Sequence, residues 1–394
     1  MTRIAIVFEE NIFDRKGAFL AKLQRARHLR EQEGMDVDVW CIQVSYGWLV
    51  RKLLAKRTLD GQSEAQVGRP DTLTFDGVTY HMLWLRYSIL DHFLFFKCKL
   101  RPVLYPRFLK RVSSMFQGYD LMSAHSFEGA YLAREVQRRF GIPYCVTWHG
   151  SDIHTKPFKY PCIRELTAQL MAGARMNFFV SKALLEKSEE LGPGKKQVLY
   201  NGCSEAFVRY DDSKRYELRK KYQLNDAPVV GFVGNLEKVK NASLLPSLFA
   251  GIQKYSTVNL DFWVVGDGRE KASIQAGMQV PCRFFGNLSP EQMPEVFNCL
   301  DLLILPSLNE GLPLVVLEAL NCGCRVVGSR VGGVPEVLDE AHCVPLGDDF
   351  VHRFAKSAAG TLADSFSQSI PAEMSWEVTA RKEAEVYRNC CGPV

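Results

Sequence analysis

Two doubly wound α/β domains are predicted from three observations. Short apolar runs of strand length alternate with helical patterns through both halves of the chain, and such alternation implies βαβ units and parallel sheets. The series breaks off and restarts near Asn201-Gly202. A length of 394 residues is also more than one core usually serves. Residues 1–200 are therefore expected to form one Rossmann-like domain and residues 201–370 a second, with a cleft between them.

In the first half the strands fall at Ile4–Phe8, Val37–Ile42, Leu121–Ala124, Tyr144–Trp148 and Met176–Val180. Each is a continuous apolar run, as a strand covered on both faces requires. Helical periodicity at Ala18–Gln32, Gly129–Arg139 and Ile163–Ala174 separates them. The second half repeats the plan with Val229–Val233, Leu260–Val265, Cys282–Phe285, Leu302–Leu305 and Arg325–Gly328. Its helical segments are Ala242–Tyr255, Pro290–Asn298 and Pro313–Leu320. Pro313 suits a first helical turn, which does not use its missing N–H.

Composition narrows the class. An apolar fraction of 47% with 24% charged residues is that of a soluble globular protein, and no window reaches the ~18 apolar residues of a membrane span. Met1–Phe8 runs directly into a strand without a basic region or cleavage site, which argues against a secretory signal. The 12 cysteines are scattered and form no CxxC pair; no metal site is expected, and reduced thiols in the cytoplasm fit best. The net charge of +5 hides an asymmetry, since residues 1–200 hold 30 Lys/Arg against 20 Asp/Glu. No nucleic-acid signature accompanies that basic half. Between Met82 and Phe116, aromatic and aliphatic residues adjoin Lys97, Lys99, Arg101, Arg107, Lys110 and Arg111. That mixture is expected to be an interfacial helix on an anionic membrane surface, the alternative being a core helix with a basic flank.

Loops at strand ends hold the chemistry, because ligands of such sheets bind outside the carboxyl ends. Glu310 follows one end, and Glu318 is the lone polar residue of an apolar helix. Burying that carboxylate without partners is costly; it is aimed into a cleft, or else capped by an amide or a lysine. Gly234-Asn-Leu-Glu-Lys-Val-Lys-Asn241 offers a glycine turn with Lys238 and Lys240 as candidate phosphate cations. Val264-Val-Gly-Asp-Gly268 is a tight βα turn that lacks the third glycine of a dinucleotide fingerprint. His149, after Tyr144–Trp148, is placed to bond a substrate hydroxyl or to serve structure; Asp152 binds a sugar or caps a helix. Gly17 opens a helix on the same side. Asp36-Val-Asp38 has the letters of a metal-binding Asp-x-Asp, but lies at the start of a strand and reads as a surface strand edge.

Together these residues resemble the retaining glycosyltransferases of family 4, of GT-B fold. The signature is Glu310-Gly-Leu-Pro313 through Glu318-Ala319 to Gly323 and Val326-Val327, supported by Asn201-Gly202, Gly234…Lys240, Val265-Gly-Asp-Gly268, Phe285-Gly286, Pro306-Ser307, Gly332-Gly333 and Glu336. Trp376 resembles the start of the family's final helix, so residues 371–394 would cross back to the first domain. The resemblance implies a nucleotide-diphosphate sugar held by the second domain and a saccharide or lipid-linked acceptor held by the first, with Asp152 and Ser126 as acceptor contacts. Glu310 would touch the transferred sugar, Glu318 the ribose, Lys240 the leaving diphosphate and His149 the donor sugar. Gly311, Leu312, Gly17, Asn235, Lys238 and Gly286 would complete donor binding.

One position departs from the pattern: many relatives have arginine where this chain has Asn235. Lys16-Gly17-Ala18 also stands where many have paired glycines. The resemblance implies retention of anomeric configuration without a metal or other cofactor, by front-face displacement assisted by the donor phosphate. Other readings of the scaffold are a nucleotide-sugar epimerase, a phosphorylase, or a silent partner of a second transferase.

Overall fold

The computed structural model describes residues 2–10, 17–46, 70–75, 77–87, 104–364 and 368–391. They fall into two compact units, Met1–Tyr200 with Trp376–Val394, and Asn201–Ser375.

The first unit is built on an eight-stranded sheet. Its strands are β1 (Arg3–Glu9), β2 (Asp36–Tyr46), β3 (Thr72–Phe75), β4 (Val78–Tyr87), β5 (Leu121–His125), β6 (Tyr144–Trp148), β7 (Met176–Phe179) and β8 (Lys196–Val198), in the order β3-β4-β2-β1-β5-β6-β7-β8. Only β3 runs antiparallel to its neighbour among the described residues. Ile4 to Phe8 are fully buried because helices lie on both faces of β1. Gly129 lets one of them, Ser126–Phe140, approach closely: a Cβ there would lie 2.4 Å from the Val7 carbonyl oxygen.

The terminal helix Trp376–Cys391 belongs to this unit by packing. Ala380, Ala384 and Tyr387 join its core. Glu383, fully buried, meets the equally buried Arg25 at 3.2 Å, and the Tyr387 hydroxyl donates to Glu383 at 2.5 Å. Thr379 Oγ1 donates to the Tyr200 carbonyl at 2.7 Å.

The expected interfacial helix is corrected in part. Met82 to Tyr87 form the second half of β4, paired in parallel with β2, and Met82, Leu83 and Leu85 are core residues. Among the described residues the next helix is Leu104–Val112, burying Phe108, Leu109 and Val112 while exposing Arg107, Lys110 and Arg111. Leu90, Phe93 to Phe96, Lys97, Lys99 and Arg101 lie outside the described residues. Asp36 and Asp38 start β2, an interior strand and not an edge. Asp38 accepts from Arg3 Nη2 at 2.9 Å and from the Tyr119 hydroxyl at 2.6 Å, so its carboxylate is engaged at the amino end of the sheet.

The second unit has six strands, β9 (Val229–Val233), β10 (Asp261–Val265), β11 (Cys282–Gly286), β12 (Leu302–Leu305), β13 (Arg325–Ser329) and β14 (Cys343–Val344), in the order β11-β10-β9-β12-β13-β14. Every pair is parallel. In each sheet the chain leaves its first strand on one side and later returns to the other. The switch points thus fall between β1 and β5 and between β9 and β12.

Candidate functional site

Doubly wound sheets bind ligands at the switch point, outside the carboxyl ends of the strands. In the second unit that rule selects the loops Gly234–Asn241 and Pro306–Pro313. They are laced by the Leu308 amide, which donates to the Val239 carbonyl at 2.9 Å. Lys240 Nζ lies 2.7 Å from Glu310 Oε1, and Ser307 Oγ donates to the same oxygen at 2.6 Å. The Glu310 side chain is 9% exposed and that of Lys240 24%. Lys240 closes a 3-10 turn, Lys238–Lys240, ended by Asn241 in the left-handed region at φ 54°. Lys238, in the same turn, is exposed and makes no ion pair among the described residues. Of the two candidate lysines, the fold brings Lys240 to the glutamate.

Glycines hold this edge open. Gly332 has φ +50°, and a Cβ on it would sit 1.8 Å from the Glu310 carbonyl oxygen; Gly333 N donates to the Gly311 carbonyl at 2.9 Å. Gly266, at φ +125°, passes so close to Gly234 that a Cβ would lie 2.0 Å from its carbonyl oxygen. The amides of Gly311 and Leu312 donate to no backbone carbonyl among the described residues. They immediately precede the helix Leu314–Asn321, whose N-cap is Pro313. Gly286, at φ +68°, ends β11 beside the Lys271–Asp267 ion pair of 2.7 Å. Asn235 is half-buried, and its carbonyl accepts from Glu237 N at 2.9 Å.

Glu318 lies on that same helix and keeps partial access to solvent. Its carboxylate makes no hydrogen bond to the described residues, so neither the amide cap nor the lysine expected as alternatives is found there. Protein packed around it removes water from the charge, and burial pushes its carboxyl up to about 7.

The first unit's switch region is built differently. His125 ends β5 and His149 follows β6, and His125 Nδ1 lies 2.9 Å from His149 Nε2. Burial is the main cause holding both imidazoles well below 6.5, with the cations Lys22 and Arg25 adding to it. Beneath His149, Trp148 is fully buried and donates Nε1–H to Asn177 Oδ1 at 3.0 Å. Asp152 is buried too, and its oxygens accept from His149 N at 3.3 Å and Gly150 N at 2.8 Å. These bonds fix the His149 loop and are not a helix cap, since Asp152 lies inside the helix Ser151–His154, whose N-cap is Gly150 with no side-chain cap bond. Ser126 begins the helix Ser126–Phe140 at φ 62°. Gly17 begins Gly17–Glu31, the residues just before it lying outside the described ones.

Sequence reasoning gave no role to His125 or Ser307. Ser307 stands three residues before Glu310, a spacing that allows side chains to meet across a tight turn. His125 carried only the weak signal of a polar residue closing an apolar strand.

Solved structures with this architecture establish the class. Sucrose-phosphate synthase from Thermosynechococcus elongatus superposes with a TM-score of 0.71 at 16% identity, covering 99% of each chain. Anabaena HepE in complex with UDP and glucose gives 0.68 at 15% identity, over 99% of this chain and 100% of that one. The lipopolysaccharide outer core galactosyltransferase WaaB gives 0.62 at 15% identity, over 98% and 99%. The fold is that of the GT-B glycosyltransferases.

The chain belongs to glycosyltransferase family 4: the family model described as "Glycosyl transferases group 1" matches residues 214–364, and "Glycosyl transferase 4-like domain" matches residues 22–202. Among curated relatives, N-acetyl-alpha-D-glucosaminyl L-malate synthase of Bacillus anthracis is 29% identical over 228 residues, covering 56% of this chain and 58% of that protein. D-inositol 3-phosphate glycosyltransferase of Corynebacterium urealyticum is 28% identical over 183 residues, covering 41% and 43%. The chain thus spans about half the length of the curated relatives it matches.

Proposed function

We propose that the protein transfers a hexosyl group from a nucleoside-diphosphate sugar to a hydroxyl of a saccharide or lipid-linked acceptor, in cell-surface polysaccharide or lipopolysaccharide synthesis. The observation that carries this reading is the Lys240–Glu310 contact of 2.7 Å at the switch point of the second sheet. A bond to a sugar diphosphate breaks with negative charge growing on phosphate, and preorganised donors aimed at that charge are the main catalytic demand. Lys240 exchanges Glu310 for the leaving diphosphate, joined by the amides of Gly311 and Leu312. Glu310, released, contacts the transferred sugar. Glu318 accepts from the ribose hydroxyls, and His149 donates to the sugar.

No metal or other cofactor enters this scheme, because Lys240 and the amides supply the compensating charge. Lys238 takes the place of the arginine absent at Asn235, and Gly17 and Gly286 leave room for the donor. Transfer proceeds with retention, the donor phosphate assisting front-face attack. HepE was solved with UDP, which puts UDP-sugars first among donors. The acceptor class follows that of WaaB by analogy of fold. Exposed Arg107, Lys110 and Arg111 favour an anionic membrane surface as partner, on its cytoplasmic face. Binding to anionic vesicles at low salt should be lost at high salt; a protein that never binds them has no such partner. No helix of the described residues is long and apolar enough to cross a membrane.

A thermal-shift panel of UDP, GDP, ADP and their sugars tests the donor, since a ligand of the folded state raises its stability. One nucleotide should stand out. A donor consumed without any acceptor and converted to an isomeric nucleotide sugar would favour an epimerase instead.

A further inference from the structure

We infer that His125 donates its Nδ1–H to His149 Nε2 and thereby holds His149 as the Nδ1–H tautomer, a neutral hydrogen-bond donor toward a hydroxyl of the sugar. The role toward sugar rests on the function proposed above; the tautomer does not.

The contact geometry is definite. The two ring nitrogens are 2.9 Å apart, the ring planes differ by 18°, and the centroids are 5.2 Å apart. Two neutral imidazoles hold one N–H each, so of their four tautomer combinations one satisfies the contact in each direction. If His149 were the donor, His125 would carry its proton on Nε2. That atom is fully buried and has no partner among the described residues, and a buried N–H without an acceptor bears the full cost of its lost hydration. The surroundings oppose it further. Lys22, 2% exposed, and Arg25, fully buried, are cations close enough to depress both rings. Lys22 Nζ also lies 4.7 Å from the centre of the Phe8 ring, which packs edge-on against His125 at 6.4 Å. A positive field favours a lone pair over an N–H at Nε2. Of the carboxylates on these elements, Glu10 pairs with Lys22, Glu383 with Arg25, Glu128 with Lys156 and Asp152 with the two loop amides, while Glu9 has a buried Oε2 that bonds neither imidazole.

With His125 as donor, Nε2 holds only a bare lone pair, and neither ring leaves a buried N–H without an acceptor at that atom. His149 then carries its proton on Nδ1. That nitrogen has no partner among the described residues, and His149 keeps partial exposure. It is the ring atom left for a ligand. His149 consequently offers a donor and no basic nitrogen, which suits fixing a hydroxyl and not removing its proton. His125 touches no ligand in this scheme; it is a positioning residue, acting through its neighbour.

The test is a long-range 1H–15N correlation spectrum of the full chain labelled at histidine nitrogen, with His149 and His125 assigned by substitution. Protonated and bare ring nitrogens resonate far apart, so the tautomer is read directly. Wild type should show His149 protonated at Nδ1 and bare at Nε2, unchanged from about pH 6 to 9. His125→Phe keeps an aromatic ring against Phe8 and removes the proton; His149 should revert to the Nε2–H form that free histidine favours. Donor turnover should fall about tenfold, the worth of one hydrogen bond. His125→Asn, whose amide can donate from near the position of Nδ1, should restore both the Nδ1–H signal and turnover. A wild-type His149 protonated at Nε2 overturns the inference, as does an unchanged His149 signal in His125→Phe. Should His125→Phe fail to fold, the wild-type spectrum alone decides. Full turnover in His149→Gln beside the expected spectrum would leave the tautomer standing and remove the donor-sugar reading.

Discussion

At the switch point of the second sheet a lysine and a glutamate stand in contact within reach of solvent, whereas at that of the first two neutral imidazoles share a proton above buried cations. Both sites sit where strand order reverses, so topology alone does not separate them. Their charges do. Lys240 and Glu310 are partly exposed and can change partners when a polyanion arrives. Arg25 and Glu383 are wholly enclosed, and Lys22 nearly so, so their charges are committed to the fold. A partly exposed ion pair suits a leaving diphosphate, and a fixed field that keeps histidine neutral suits an uncharged hydroxyl.

Three substitutions probe that contrast. Lys240→Ala removes the cation meant for the leaving group and should lower kcat by about 10²–10³-fold, read from release of nucleoside diphosphate. A loss confined to KM would mean that Lys240 binds the ground state only. Glu383→Ala is the counterpart in the first unit. It leaves Arg25 buried without its carboxylate partner, which should destabilise that unit by about 3–5 kcal/mol in a urea titration. Its kcat at low temperature should stay near wild type; a selective loss of turnover without loss of stability would make the buried pair functional.

The smallest effect is a pH dependence. Glu318 is held up to about 7 from an ordinary 4.5, so its favourable share of stability is complete below about 4.5 and is lost as pH rises through about 7. Glu318→Gln never ionises. Its thermal midpoint should exceed that of wild type above pH 7, and the two should converge toward pH 4.5. Equal midpoints throughout would show the carboxylate to be well solvated. Ribose hydroxyls donate to the ionised form, so wild-type nucleotide affinity should tighten across the same range.

Much of this was legible in the sequence, and the reasons are physical. Parallel strands covered on both faces read as unbroken apolar runs, which marks β1, β9 and β12 plainly. The link from Lys240 to Glu310 spans 70 residues and was legible only through the family motif. β4 was misread because its aromatic and aliphatic residues precede a basic stretch. Leu83 and Leu85 are buried along with Met82, so both faces of the strand are covered and its period of two is masked. The Arg25–Glu383 pair joins residues 358 apart, and nothing local announces it. His125 was passed over for a similar reason, since its partner lies 24 residues on, beyond a helix.

The most direct measurement follows nucleoside diphosphate release from UDP-sugars by wild type and Glu310→Ala, with UDP affinity determined for each by calorimetry. Wild type should bind UDP and turn over one UDP-sugar. Glu310→Ala should bind UDP about as tightly and release none from the sugar. Turnover by the variant at the wild-type rate, or no binding of UDP by either protein while another nucleotide binds elsewhere than Lys240, would contradict the assignment of this edge as the transfer site.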